Sequence, residues 1–187
     1  MRRSGMRRGR GADEVVYIPK RIAEEAARRG LDINELVLNA VTEELKLDPS
    51  EVPRVRIELA ERFLEEAKTH LEREDPVRAS EKLYKVTEEC VKALAEAFNP
   101  PELEEARKRG RWTAHLLGSA SRSLAKKLNE PRIEYTWAVA YDIHVWGFHE
   151  AKYDIEKIEG DVTHTEWLLN YTKKLIEEWE RQRQRNA

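Results

Sequence analysis

The sequence predicts an all-α protein, an antiparallel helical bundle that carries a short strand-helix-helix appendage at its N-terminus. Apolar residues recur every three or four positions in nearly every segment after residue 20, which is the period of amphipathic helices. Proline, glycine and asparagine mark most of the boundaries between these segments. The only strand-like run, Val15–Ile18, is short and is stopped by Pro19.

Residues 1–11 are predicted to form a disordered tail, because they contain five arginines, no acid and no apolar anchor. Residues 12–48 form the predicted appendage: the strand, a helix over Lys20–Arg29 that ends at Gly30, and a helix that begins at Asp32. The strand has no second strand in the chain with which to pair. We therefore expect a homodimer in which the appendage is the dimerisation element.

The bundle is predicted over residues 50–180, with residues 181–187 as a second disordered tail. Within the second of its helices, Glu88 and Lys92 have the spacing of an ion pair on the outer, solvated face. Gly160 and Asp161 are predicted to stop one helix and start the next. The predicted helices are Ser50–Leu71, Pro76–Phe98, a short helix to Arg109, Trp112–Leu128, one containing Trp137–Glu150, and the last beyond Asp161.

Composition excludes several classes of protein. The formal net charge is −2, and removing the +5 of the tail leaves about −7 for the rest, which argues against a broad basic face for nucleic acid. The single cysteine indicates a reducing compartment, and no apolar run indicates a signal peptide or a membrane span. We expect a cytoplasmic protein without membrane contact. The 37% of charged residues and the two glutamines are typical of thermophiles.

The segment Trp137–Glu150 is the densest cluster of aromatic and histidine side chains. Trp137, Tyr141, His144 and Phe148 share one helical face, which is typical of core packing and leaves a functional pocket as the alternative. We expect His144 to be a buried or half-buried neutral imidazole. His149 lies about 140° around a regular helix from His144, so the pair would not bind one metal ion there. We predict no metal and no cofactor.

A second candidate site is the basic segment Arg107–His115. Its arginines precede a helix that bears a histidine, the arrangement of a phosphate cradle beside a general acid or base. We favour the simpler interpretation of this segment, a solvated basic helix end. The candidate residues for RNA binding are Arg107 and Arg111 here and Arg2, Arg3, Arg7, Arg8 and Arg10 in the tail, and the pocket candidates are Trp112, Tyr141, His144 and His149.

Several segments of the central helices together carry a family resemblance: Ala79–Lys85, Glu88–Glu89, Val91–Leu94, Gly110–Trp112, Trp137–Ala140 and Ile143–Glu150. They resemble the archaeal PaREP family of paralogous repeat proteins, and the resemblance covers residues 15–180. It places the bundle among the HEPN-like helical bundles, some branches of which are metal-independent RNases with an arginine and a histidine separated by four to six residues. The resemblance implies Arg109 as the phosphate-binding residue and His115 as the proton-transfer residue.

Three functions follow. The favoured one is a non-enzymatic interaction module that binds a protein or an RNA-containing assembly. The first alternative is a metal-independent endoribonuclease that uses Arg109 and His115. The second is a DNA-binding regulator, because residues 12–48 also resemble a ribbon-helix-helix unit. The residues that the strand would offer to base edges, Glu14–Ile18, are mostly apolar and suit specific DNA reading poorly.

Overall fold

The structure of the protein is a computed structural model that describes residues 16–186. All regular secondary structure in this range is helical, which agrees with the predicted all-α class. The chain folds into two compact units, and the division between them lies between Glu44 and Leu45. The boundary predicted from the sequence lies a few residues later, at 48–50.

The first unit contains α1 (Lys20–Arg28) and α2 (Ile33–Glu44). Gly30 follows α1 with a positive φ of 64°, and the Asp32 carboxylate caps α2 by accepting from the backbone N–H groups of Asn34 and Glu35. Residues 16–19 have no regular secondary structure. Val15, the first residue of the predicted strand, lies outside the described residues, and residues 16–18 do not form a strand, which would need a hydrogen-bonded partner strand.

The second unit is built around one helix, α4. This helix contacts α3, α6, α7, the π-helix and α8, and most of its residues are buried. Asp75 caps it, with a carboxylate oxygen that accepts from the N–H of Arg78, and Pro76 occupies its first position. The elements of the unit are α3 (Val52–Glu72), α4 (Pro76–Phe98), α5 (Pro101–Arg109), α6 (Ala114–Leu128), α7 (Arg132–Asp142), a π-helix (Ile143–His149) and α8 (Ile155–Asn186).

Two predictions for the C-terminal region were wrong. Gly160 does not stop a helix but lies inside α8, where the space that a Cβ would occupy is open. Residues 181–186, predicted to be a disordered tail, are the last turns of α8. The guanidinium of Arg183 lies 4.9 Å from the ring centroid of Trp179, one turn earlier, and this cation–π contact supports the helix end.

The apolar core lies between α4 and the helices around it. Trp137 is buried in it, and its indole Nε1 would lie 2.9 Å from a Cβ at Gly118, so α6 and α7 approach closely only because residue 118 is glycine. Other buried members are Ile57 and Phe63 of α3, Val86, Cys90 and Leu94 of α4, Leu117 and Leu124 of α6, and Leu168 and Ile176 of α8.

Candidate functional site

The π-helix brings His144 and His149 together. In an α-helix, side chains five residues apart diverge, but in a π-helix the hydrogen bonds join residues i and i+5. The bond from the N–H of Glu150 to the carbonyl of Val145, 2.9 Å long, has this spacing. The Nε2 atoms of the two histidines lie 3.0 Å apart. The separation of about 140° expected for a regular α-helix does not apply, because this segment is a π-helix.

Gly147 explains how the π-helix fits against α4. It is buried, and a Cβ at this position would lie 2.1 Å from Oγ and 2.8 Å from Cβ of Ser80, both far inside van der Waals contact. Ser80 is fixed, since its hydroxyl donates to the carbonyl of Pro76 over 2.7 Å. Only glycine therefore permits this approach. A glycine within a helix marks a point where the geometry can change, but the sequence does not indicate which change.

His144 is enclosed by aromatic rings. Tyr84 of α4 stacks on it with ring centroids 3.9 Å apart, and Tyr141 and Phe148 lie on either side at 6.4 and 5.7 Å. Trp137 and Tyr141 stack in turn, so the four residues that share a helical face in the sequence form a continuous row of rings. Burial, together with the neighbouring His149, lowers the pKa of His144 to about 4. The imidazole is half-buried and neutral at physiological pH, and its hydrogen-bond partner is His149 rather than a residue of another helix.

A network of buried charges lies on α4 behind these rings. Lys92, only 1% exposed, binds Glu88 over 2.8 Å and Glu89 over 3.0 Å. Glu89 also binds Arg56 of α3 over 2.9 Å, and Glu88 binds Lys85 over 3.1 Å. Although burial alone raises it, Lys92 and Lys85 hold the pKa of the Glu88 carboxyl below its ordinary value.

The predicted position of this ion pair was wrong. The Glu88–Lys92 spacing indicated an exposed pair, yet both side chains are buried. The sequence did contain one signal, because apolar residues flank these charges closely: Val86 precedes Glu88 and Glu89, and Val91 and Leu94 lie on either side of Lys92. The network links α3 to α4 and ends beside His144. The charge of Glu88 raises the pKa of His144, and the charge of Lys85 lowers it.

The outer side of this region is accessible to solvent. Tyr141 is 44% exposed and Trp146 45% exposed, although both are large aromatic residues, and His149 is exposed as well. We call these three residues, with His144 and Phe148, the aromatic–histidine face. It sits on a rigid base, since α7 and the π-helix pack on α4 through Trp137, Ile143 and Gly147, all buried.

The basic segment after α5 is arranged differently. Each of its three cations from 107 to 109 is paired with a carboxylate: Arg107 with Glu96 over 2.8 Å, Lys108 with Glu104 over 3.7 Å, and Arg109 with Glu105. The helix stops at Gly110, which has a φ of 67°. Surface ion pairs beside such a stop are the arrangement of a solvated basic helix terminus.

Arg109 and His115 are both exposed and lie on either side of the turn between α5 and α6. No hydrogen bond or ion pair joins His115 to another residue in the range 16–186. Arg111 is exposed, and no carboxylate of the described chain pairs with it. Trp112 is partly buried and packs against the core. The tail arginines Arg2, Arg3, Arg7, Arg8 and Arg10 lie outside the described residues.

The described residues contain no group of three or more His, Cys, Asp or Glu side chains placed to hold a metal ion. They also include no helix that is both long enough and apolar enough to span a membrane. Cys90 is buried, and burial strongly raises the pKa of its thiol, so it is an unreactive core residue.

Comparisons with known proteins give one family and one solved fold. Residues 55–169 match the family described as the archaeal PaREP1/PaREP8 family. A crystal structure of a Sulfolobus solfataricus protein has 32% identity and a TM-score of 0.57, and the match covers 62% of this chain and 94% of that one. A solution structure of the same structural-genomics target has 31% identity, a TM-score of 0.55, and coverage of 61% and 88%. No curated protein gives a significant match.

Proposed function

The chain belongs to the archaeal PaREP1/PaREP8 family, and we propose that it is a non-enzymatic helical interaction module that binds a partner protein through the aromatic–histidine face. The observation that carries this proposal is the exposure of Tyr141 and Trp146 on a base held by buried packing and buried ion pairs. Exposed aromatic residues on a rigid surface are typical of binding hot spots.

The choice of a protein partner rests on charge and composition. Interface cores are enriched in aromatic residues, as this face is. RNA binding instead needs cations to neutralise phosphates, and residues 12–187 carry a net charge of about −7. The cations Arg107, Lys108 and Arg109 are already paired with carboxylates. An RNA-containing assembly, the other partner that the sequence left open, is therefore the less favoured one.

The experiment first captures the partner from the source cells, identifies it and purifies it. It then measures the affinity of that partner for three forms of the protein: the wild type, a double alanine variant and a control variant. Replacing Tyr141 and Trp146 together with alanine removes two hot-spot candidates, and we expect affinity to fall by at least tenfold. Tyr135→Ala is the matched control, because Tyr135 is an exposed tyrosine of α7 outside this face. Equal affinity of all three forms, or capture of RNA alone, would overturn the proposal.

The second candidate function is a metal-independent endoribonuclease of the HEPN type. It is supported by the exposure of both Arg109 and His115 on either side of the turn between α5 and α6, although a phosphate would have to displace Glu105 from Arg109. The test incubates total RNA with the protein in the presence of a chelator. Cleavage that His115→Ala abolishes and His149→Ala retains would establish this activity at the expected site, whereas intact RNA at every temperature tried would refute it.

We also propose that the first unit mediates homodimerisation. No residue of α2 is buried, and Tyr17 is 91% exposed next to exposed Val16 and Ile22. Two short helices rarely form a stable core alone, so a second copy of the same segment is the expected cover. Light scattering should report a dimer that Val41→Lys weakens, while Asn39→Lys adds the same charge at an exposed polar position without this effect. A monomeric wild-type protein at micromolar concentration would contradict it.

A further inference from the structure

We propose that His144 and His149 together bind a divalent transition-metal ion of tetragonal geometry, Cu²⁺ or Ni²⁺, through their Nε2 atoms. The site goes beyond the proposed protein-binding function and does not depend on it. The ligands come from one short element, the π-helix, which is what places two residues five apart on the same side.

The distance between the two nitrogens matches neighbouring positions around one ion. Imidazole nitrogens bind such metals at about 2.0–2.1 Å, so two ligands at a right angle are about 2.9 Å apart, and two tetrahedral ligands about 3.3 Å. The observed Nε2–Nε2 distance is 3.0 Å, close to the right-angle value. Right-angle coordination by nitrogen is typical of tetragonal Cu²⁺ and Ni²⁺.

The orientation of the rings also permits convergence. The ring planes of His144 and His149 are inclined by 78°, and their centroids are 4.4 Å apart, only 1.4 Å more than the nitrogens. The rings therefore do not lie end to end, and the hydrogen bond between their Nε2 atoms is not linear. They meet at an angle with both Nε2 atoms on the near side, so a modest rotation of the exposed His149 aims both lone pairs at one point.

Access to the pair from solvent favours binding. His149 is exposed, so an ion with its waters reaches the pair directly. Because no third His, Cys, Asp or Glu of the described chain converges here, water completes the coordination. The expected affinity is accordingly lower than that of a closed site.

Cu²⁺ titrated into the full-length chain, followed by calorimetry and electron paramagnetic resonance, tests the proposal. We expect one saturable ion with hyperfine splitting from two nitrogens. His149→Ala should weaken binding by at least about tenfold and remove one nitrogen from the spectrum. His115→Ala is the matched control, an exposed histidine on α6, and should leave both unchanged.

Several outcomes overturn the inference. The first is a His149→Ala variant that binds Cu²⁺ with wild-type affinity. The second is a His115→Ala variant that loses Cu²⁺ binding as well. The third is a wild-type protein that is not saturated at millimolar Cu²⁺. In each, the two histidines form only a hydrogen bond. His149 is replaced rather than half-buried His144, so that folding is preserved. The variant with alanine at Tyr141 and Trp146 should retain the ion, which separates metal binding from partner binding.

Discussion

Replacing Lys92 with methionine tests the buried ion network most directly. Methionine keeps the length and apolar stem of the side chain but removes the ammonium group that binds both Glu88 and Glu89. Arg56 and Lys85 remain, so the two buried carboxylates share two cations in place of three. Removing one partner from a buried ion pair leaves charge without compensation and typically costs about 3–5 kcal/mol.

We expect the free energy of unfolding of Lys92→Met to fall by this amount at pH 7, with a melting temperature lower by about 6–20 °C. The matched control is Lys108→Met, which removes an exposed lysine that pairs with Glu104 on the surface. An exposed pair of this kind contributes at most about 1 kcal/mol. Urea unfolding followed by circular dichroism measures both variants.

The pH dependence separates electrostatics from packing. In the wild-type protein the pKa of Glu88 is lowered, so its charged form adds stability that is present above about pH 4.5 and lost as the pH falls further. In Lys92→Met, burial raises that pKa instead, so protonation in acid relieves the destabilisation. The difference between the two proteins should therefore be largest near pH 7 and shrink towards pH 4.5. A loss below 1 kcal/mol, or one independent of pH, would refute the electrostatic explanation.

Three further predictions concern the site and the core. Gly147→Ala should destabilise the bundle by about 1–3 kcal/mol in thermal unfolding, because its Cβ clashes with Ser80. Gly160→Ala, where the space is open, should stabilise it by up to about 1 kcal/mol. The reverse order of stabilities would contradict the close approach of Gly147 to Ser80. His144 should titrate in NMR near its pKa of about 4 and reduce stability as the pH falls from 6.5 to 4, because the unfolded chain binds that proton first; a midpoint near 6.5 would contradict its burial. Cys90 should resist alkylation in the native protein and react only on unfolding, and rapid native labelling would contradict its burial.

The fold class could be read from the sequence because helices are encoded locally. The apolar period and the caps at Asp75 and Asp32 specify α4 and α2 without reference to the rest of the chain. The predicted start and end of the last helix were wrong because local signals were given too much weight. Gly160 is weak evidence for a break when a long helix continues on both sides of it, and the contact of Arg183 with Trp179 supports the end.

The candidate site could be predicted only in part, because its chemistry depends on contacts between helices. The sequence identified His144, His149 and Tyr141 but treated their helix as regular. The π-helical geometry depends on Gly147 meeting Ser80, a residue 67 positions earlier in the chain. A partner so distant in sequence leaves no periodic signal.

The same reasoning explains why the buried charges of α4 were placed outside. Periodicity assigns charged residues to the solvated face, which holds for a helix that is covered on one side. In contrast, α4 is surrounded by α3, α6, α7, the π-helix and α8, so its polar side is covered as well. Burial of Lys92 is then tolerable only because Glu88 and Glu89 stand within 3.0 Å of it. A central helix must carry its own counter-charges.

This arrangement connects the core to the exposed face. Arg56 joins α3 to Glu89, Lys92 joins Glu89 to Glu88, and Glu88 lies close enough to act on His144. The position of His144 is further restricted by the stacked ring of Tyr84, one turn before Glu88 on α4. Since a rigid surface loses less entropy when it binds, a network that fixes the aromatic–histidine face favours binding of either a partner protein or an ion. Loss of Lys92 should therefore weaken both kinds of binding even in molecules that remain folded, a consequence that a purely structural network would not have.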